Sequence, residues 1–453
     1  TDRILMPQKY QVKNIRHGNP GLSGWYAILP EPEPTHVLEK DLTADWLVIG
    51  GGFAGLSAAR RLLQLREKES IVLLDSIRIG EGSSGRNSGF MIDLPHDISS
   101  DSYAGAVEQD IRQTMQNRYA IAFAAKTAED YGFSQEVFNP CGKINGAASE
   151  KGDRHNREYV EHLNSMGEES TWLDASDMKR ITGSDYYLSG LLTPKTVTIQ
   201  AAAYVRGFAQ GLSQNVNIYE NSPVIAMKRA DGIWKVNTPK GSVSAPKVIL
   251  CVNGHLQSFG FLKRRLMHIF LYASMTHAMT TEEIRKLGGE PSWGVAPANP
   301  FGSSVRKICG VGGHRILMRN KFHFNSTMEA SDRDIQRTVR NHDRSFQRRF
   351  PMLKNLEMEY RWGGRLCLSW NGVPVFGEIE DGLFAACCQN GVGVSKGTLS
   401  GILAAEYSSG FQNSYIEDYL NEKQPTRLPP EPIATMGATA YLNWQEWRAG
   451  LEK

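Results

Sequence analysis

Between residues 46 and 75 this chain allows very few folds. Trp46-Leu47-Val48-Ile49 is a short continuous apolar run, as a parallel strand buried on both faces requires. It passes directly into Gly50-Gly51-Gly52-Phe53-Ala54-Gly55, a G-x-G-x-x-G sequence, and then into a helical pattern with Leu56, Ala59, Leu62 and Leu63 on one side. A second apolar run, Ile71 to Leu74, ends in Asp75. Each part has a physical task. Gly50 permits a tight turn, Gly52 lets backbone approach a pyrophosphate, and Gly55 lets the helix pack closely on the strand. The helix N-terminus offers free N–H groups and a partial positive charge to phosphates. Asp75 lies 20 residues past Gly55, where an acid accepts hydrogen bonds from an adenosine ribose. A glycine-rich turn without a ligand is the bland alternative. The order of strand, glycines, helix, strand and acid instead predicts a Rossmann-type dinucleotide-binding domain.

The next stretch bears on which dinucleotide is bound. A nicotinamide domain would normally continue into another helix and strand after Asp75. Here Ser76 is followed by a loop running to Phe90 that is dense in small residues and hydrogen-bond donors, with Ser84, Arg86, Asn87 and Ser88 among them. Such a segment can lie along an extended cofactor and offer it backbone N–H groups and a fixed cation. A surface loop is the other reading. Further on, Ser222 to Met227 reads as a strand, Asp231-Gly232 as a hairpin turn and Ile233 to Asn237 as the returning strand. After a turn at Pro239-Lys240-Gly241, Lys247 to Cys251 makes another buried strand ending at Asn253-Gly254. A three-stranded antiparallel insertion that returns to a parallel sheet favours FAD over NAD. Late in the chain, Leu383 to Cys387 leads into Gly391-Val392-Gly393-Val394-Ser395-Lys396 and then an amphipathic run from Thr398 through Ala404, placing a second helix N-terminus at a strand end.

Taken together, the 50–55 glycines, Asp75, Ser84 to Gly89 and the segments 360–364, 371–377 and 389–397 resemble the D-amino-acid oxidase superfamily of FAD-dependent enzymes. Within it the chain is most similar to the glycine/sarcosine-oxidase branch, the gamma-glutamylputrescine oxidases above all, including the tail Ala434 to Ala438. The resemblance runs from about Asp45 to Ala438 and is patchy in the middle. It implies that Arg86, Asn87 and Ser88 lie against the cofactor, and that Val224 and Asn253-Gly254 supply backbone near its adenosine half. It also implies that the late helix points at the flavin pyrimidine edge, where its positive end stabilises a reduced, anionic flavin. Two departures stand out. Val392 occupies a place where many relatives carry His, and Met267-His268-Ile269-Phe270 replaces a Pro- and Gly-containing stretch at the strand that walls the flavin. Both suggest a pocket of different shape.

The resemblance implies hydride transfer from a carbon next to nitrogen onto flavin N5, which needs positioning more than a strong acid or base. Catalytic candidates are therefore weakly specified. His268 and Tyr272 share one face of a predicted strand from Met267 to Met275, and Lys396 lies one residue from a carboxylate-binding lysine of sarcosine-oxidase relatives. Their bland readings are a core histidine for His268 and a solvent-facing lysine for Lys396. Arg306 and Arg315 could hold a substrate carboxylate, with surface salt bridges as the alternative. Cys367 falls about three positions from the cysteine that tethers FAD in some sarcosine oxidases, so noncovalent FAD is expected.

Composition excludes other classes. Formal net charge is +3, with both signs scattered and no basic stripe, which argues against a nucleic-acid partner. The richest basic stretch, Arg333 to Arg349, is mixed with acids and reads as a solvated helix face. The six cysteines show no metal-ligand spacing, and Cys387 and Cys388, adjacent inside an apolar run, are expected as buried reduced thiols. No apolar run is long enough to span a bilayer, and Thr1 to Pro20 lacks a signal-peptide core, so a cytoplasmic protein is expected. The 453 residues suit an α/β chain with a discontinuous FAD-binding domain (41–99, 194–260 and 360–410) and an α+β substrate domain of antiparallel sheet and helices (100–193 and 261–359). An N-terminal extension (1–40) and a C-terminal tail (411–453) complete it. The predicted partners are a small amine or amino acid and oxygen or another electron acceptor.

Overall fold

The computed structural model describes residues 9–13, 19–95, 100 and 103–453. Its organising element is a six-stranded sheet. In spatial order the strands are Asn217–Tyr219, Ile71–Leu74, Trp46–Ile49, Lys247–Leu250, Leu383–Cys387 and Val375–Glu380. All neighbours are parallel except the last pair. Every residue of Trp46–Ile49 and Ile71–Leu74 is buried, because both faces of the sheet are covered. Helices Phe53–Leu65, Ala201–Leu212 and Gly393–Ser408 lie on one face. Val236, Trp234 and Met227 of a second sheet press on the other. The unbroken apolar runs of the sequence are what such double burial demands.

That second sheet contains the expected antiparallel insertion, Ala226–Ala230, Ile233–Asn237 and Ser242–Ala245, the first two joined through left-handed residues at Asp231 and Gly232. Its edges come from early in the chain. Lys9–Gln11 pairs with Ala226–Ala230, and Asp41–Thr43 runs parallel to Ser242–Ala245. The first inserted strand starts at Ala226 rather than Ser222. Ser222, Pro223 and Val224 line a cleft, while Ile225 already bonds through its backbone to Asn237 and Val12.

The helix expected from Thr398 begins at Gly393 and is buried almost all round, not amphipathic. It lies between Phe53–Leu65, helix Val107–Asp130 and the sheet. A Cβ at Gly401 would fall 2.0 Å from the Ala54 carbonyl oxygen, so this crossing needs a glycine.

The remaining large sheet has eight strands in the order Met358–Ser369, Leu266–Thr276, Arg315–Phe324, Ser304–Ile308, Trp293–Pro297, Lys143–Ala147, Ser189–Thr193 and Thr171–Asp174. Neighbours are antiparallel save for Trp293–Pro297 beside Lys143–Ala147. Helix Asp332–Arg349 packs on it. Its outer face is solvated as expected, with Arg333, Arg337, Arg340, Arg344 and Arg348 exposed, but Arg349 turns inward. Arg349 is buried and donates to the carbonyls of Ser345, Glu452 and Lys453, which anchors the C-terminal residues. Among the described residues no helix is long and apolar enough to cross a membrane.

Candidate functional site

A long cleft runs over the C-terminal ends of the parallel strands. It is lined by Gly50 to Gly52, Asp75 to Gly80, Gly82 to Ser84, Ser222 to Val224 and Cys251 to Asn253, with His255 and Arg365 on its outer wall. Its floor depends on glycine. Gly50 has φ +105, and a side chain there would meet the Cys251 carbonyl oxygen at 2.4 Å. A Cβ at Gly55 would sit 1.7 Å from the Gly50 carbonyl oxygen, so this glycine lets the helix seat against the turn. Gly52 caps the helix Phe53–Leu65, whose first N–H, that of Phe53, donates to Ser84 Oγ at 3.2 Å. Ala54 continues that first turn.

Asp75 braces the loop as well as facing the cleft. The Gly51 N–H donates to its Oδ2 at 2.7 Å and the Ile77 N–H to its Oδ1 at 3.0 Å. Burial raises its carboxyl pKa to about 6 despite these two donors. Each carboxylate oxygen keeps a lone pair for a further donor. Ser76 and Val224 complete that end.

The loop through Ser88 is clamped rather than pliable. The Arg86 guanidinium donates to the carbonyls of Glu81 (2.6 Å), Pro20 (3.2 Å), Gly21 (3.0 Å) and Gly363 (3.2 Å). Burial lowers its pKa to about 10, so it stays charged at neutral pH. The Asn87 amide spans the turn, donating to the Ser84 carbonyl and accepting from the Gly89 N–H, while Trp25 Nε1 donates to the Asn87 carbonyl. Arg306 lies under this loop. It stacks near Trp25 and Phe90 and donates to the carbonyls of Gly89 and Ile199. Arg306 is therefore a buried loop support, not a surface ion pair. Arg315 likewise donates to the Gly312 and Thr276 carbonyls and to Glu359.

The late glycine segment approaches from the far side. Gly391, Val392 and Asn390 all have positive φ, and side chains at Gly391 or Gly393 would meet nothing within 4 Å. The N-terminus of Gly393–Ser408 thus faces open space. Val394 is buried, Ser395 Oγ donates to the Ile92 carbonyl at 2.6 Å, and the Lys396 N–H closes the first turn onto Val392. Asn253 Oδ1 accepts from the Cys388 N–H, tying this segment to the end of strand Lys247–Leu250.

The strand Leu266–Thr276 brings the large sheet to the cleft. A Cβ at Gly254 would lie 2.8 Å from the His268 ring, so these two residues mark the seam. His268 is buried, stands 3.3 Å from Gln257 Nε2, and has its pKa lowered to about 4 by desolvation and by Arg365. Tyr272 points elsewhere: its hydroxyl meets His323 Nδ1 at 3.2 Å, and burial raises its pKa. The structure therefore groups the predicted residues of the glycine loop, Asp75, Ser76, Ser84, Val224 and Asn253 along one cleft. It places His268 at the seam, Tyr272 deeper in the sheet and Lys396 on the late helix.

Sequence reasoning missed Arg365, which lines the cleft, reaches His255 Nε2 at 2.8 Å and stacks over Phe270. It directly follows the Gly363-Gly364 pair, and that adjacency was the available signal. Helix N-terminus, serine and arginine suit a pyrophosphate, and Asp75 suits a ribose, so the residues present fit a dinucleotide.

Comparison with known proteins agrees. A family described as FAD dependent oxidoreductase matches residues 45–407. The chain is 27% identical to the probable oxidoreductase OrdL of Haemophilus influenzae over 371 residues, covering 80% of this chain and 82% of that protein. It is 26% identical to the gamma-glutamylputrescine oxidoreductase of Escherichia coli over 384 residues, covering 83% and 86%. The fold matches that of a glycine oxidase from Geobacillus kaustophilus with a TM-score of 0.68 at 16% identity, covering 86% of this chain and all of that one.

Proposed function

Because the chain belongs to the FAD dependent oxidoreductases, we propose that it oxidises the C–N bond of a small amine or amino acid to an imine, with oxygen as acceptor and hydrogen peroxide as product. Bound FAD supplies the hydride acceptor, its N5 atom. The observation that carries the reading is the seam between Gly254 and His268, where the dinucleotide cleft meets the large sheet. With its pKa near 4, His268 is neutral at physiological pH. Hydride loss requires the substrate nitrogen to be unprotonated, and a neutral wall does not oppose that state as an acid would. In this reading His268 borders and orients the substrate, Tyr272 fixes the sheet behind it, and Lys396 supplies positive charge beside the flavin.

The FAD contacts follow the cleft. Gly50, Gly52, Phe53, Ala54 and Gly55 would hold the pyrophosphate, Asp75 and Ser76 the ribose, and Val224, Asn253 and Gly254 the adenosine side. Ser84 to Ser88 and Gly391 to Lys396 would flank the flavin. In the same proposal FAD is held noncovalently. The division into an FAD-binding domain (41–99, 194–260, 360–410) and a substrate domain (100–193, 261–359) belongs to the same proposal.

An anaerobic absorbance titration of the yellow protein tests it, with a panel of gamma-glutamylputrescine, sarcosine, glycine and D-amino acids. Bleaching by one member followed by rapid recolouring in air is the expected result. Bleaching with slow recolouring would move the assignment to a dehydrogenase with another acceptor. No bleaching by any amine would overturn the substrate class.

A further inference from the structure

The C-terminal helix Ile433–Ala449 has two opposed faces. Leu442, Glu446, Gln445 and Ala449 are buried against the large sheet, where Leu442 and Ala449 join Ile269, Phe301 and Phe324. The Phe322 N–H donates to Glu446 Oε1 at 2.8 Å, and Lys321 and Lys453 pair with Glu446 Oε2. The helix is firmly seated.

Its outer face is apolar. Ile433, Met436, Ala440, Trp444 and Trp447 recur at spacings of three and four, forming one stripe on a helix, with Tyr441 beside it and Leu451 just beyond. Exposure reaches 60% for Ile433, 68% for Met436, 49% for Trp444 and 78% for Trp447. From Pro432 to Leu451 no exposed position is charged. A solvated helix face normally carries Lys, Glu or Arg, and this one has none. Two tryptophans, a tyrosine and a methionine, with Arg448 stacked on Trp444, match the composition of a protein–protein interface core.

We propose that this face is the interface of a homodimer, the helix packing on its own counterpart about a two-fold axis. Three observations choose a second copy over other occupants. The patch meets itself in an isologous contact, and Arg448, half-exposed over the Trp444 ring, is the one charged side chain beside it from 432 to 451, so like-charge repulsion across the axis is confined to a single pair. The six large exposed side chains present about 700 Å² per copy, at on the order of 200 Å² for each when fully exposed, close to the roughly 800 Å² per partner of a standard stable interface. Helices that lie in a lipid surface are rimmed by lysine and arginine, whereas here only Arg448 flanks the stripe, and it lies over the Trp444 ring. Gly437 and Ala440 leave room near the middle for the two axes to approach.

The test is sedimentation velocity of the FAD-loaded protein at micromolar concentration, for the wild type, Trp447→Glu and Met436→Glu. The wild type is expected at twice the 50.4 kDa chain mass. Each variant should raise the dimer dissociation constant by roughly a hundredfold, as losing a central aromatic or apolar anchor does. FAD content and far-ultraviolet circular dichroism of the variants should stay at wild-type values, which separates loss of an interface from loss of the fold. A wild type that stays monomeric at tens of micromolar would overturn the proposal. So would a dimer indifferent to both substitutions, or a monomer that floats with phosphatidylglycerol vesicles and loses that binding in Trp447→Glu.

Discussion

Val392 holds a backbone conformation that β-branched residues avoid, with φ +47 and ψ 36 at the cap of the late helix. Val392→Gly should therefore stabilise the protein by about 1 kcal/mol, after subtracting glycine's unfolded-state entropy, as read from the urea midpoint. Buried histidines set the pH response. His342 is fully enclosed with Nδ1 2.6 Å from Ser274 Oγ, and desolvation lowers its pKa to about 3; His268 is lowered to about 4. For both, the unfolded chain binds the proton more tightly. Their contribution is thus complete above the ordinary value of 6.5 and is lost progressively as pH falls toward 4 and 3. Asp75 acts oppositely, because its raised pKa favours the folded state as pH falls from about 6 toward 3.8. Replacing His342 with Gln should flatten the histidine part of the slope, recovering about 2 kcal/mol of the stability lost between pH 7 and pH 5 in urea titrations. The tasks of Gly50 and Gly55 were legible because a tight turn and its helix contact are local. The enclosure of His342 was not, since it depends on a strand 68 residues away.

At the scale of elements, the loop Ser83–Gly89 shows how a site is made rigid. One guanidinium, Arg86, holds four carbonyls from three separate segments. Arg86→Met should cost about 2 to 4 kcal/mol, since buried carbonyls are left without donors. It should also release FAD on dilution, seen as loss of the protein-bound yellow colour on gel filtration. The sequence showed that this loop was special, and the family resemblance set its arginine beside the cofactor without its four carbonyl partners. Pro20, Gly21 and Gly363 reach it only through tertiary folding, so no local pattern announces them. The late helix teaches the same lesson. Its alternation of small and apolar residues read as amphipathic from Thr398, while packing against Phe53–Leu65 buries nearly every side of it from Gly393 on.

Across the whole molecule, the chain's far ends stabilise its middle. Glu452 accepts from the N–H groups of Ala148 and Ser149, each at 3.0 Å, and from Ser149 Oγ at 2.6 Å, beside the start of helix Glu150–Ser165. Glu452→Ala should lower stability by about 2 kcal/mol in thermal or urea unfolding, by leaving those donors unpaired. FAD at a hundred times its dissociation constant should add about 2.7 kcal/mol, measured as a concentration-dependent rise in melting temperature. What the sequence determined by itself was the dinucleotide frame: the parallel strands, the glycine turn, Asp75, the antiparallel insertion and the family they point to. These features are encoded within short stretches, where steric limits and double burial leave few residue choices. Tertiary structure alone decided that Arg86 and Arg306 brace a loop, that His268 meets Gly254, that Arg365 walls the cleft, and that an uncharged helix face is left outward. The longer-range of those contacts join residues from 14 to 277 positions apart, and a side chain's neighbours across such distances are fixed only when the sheets close on one another.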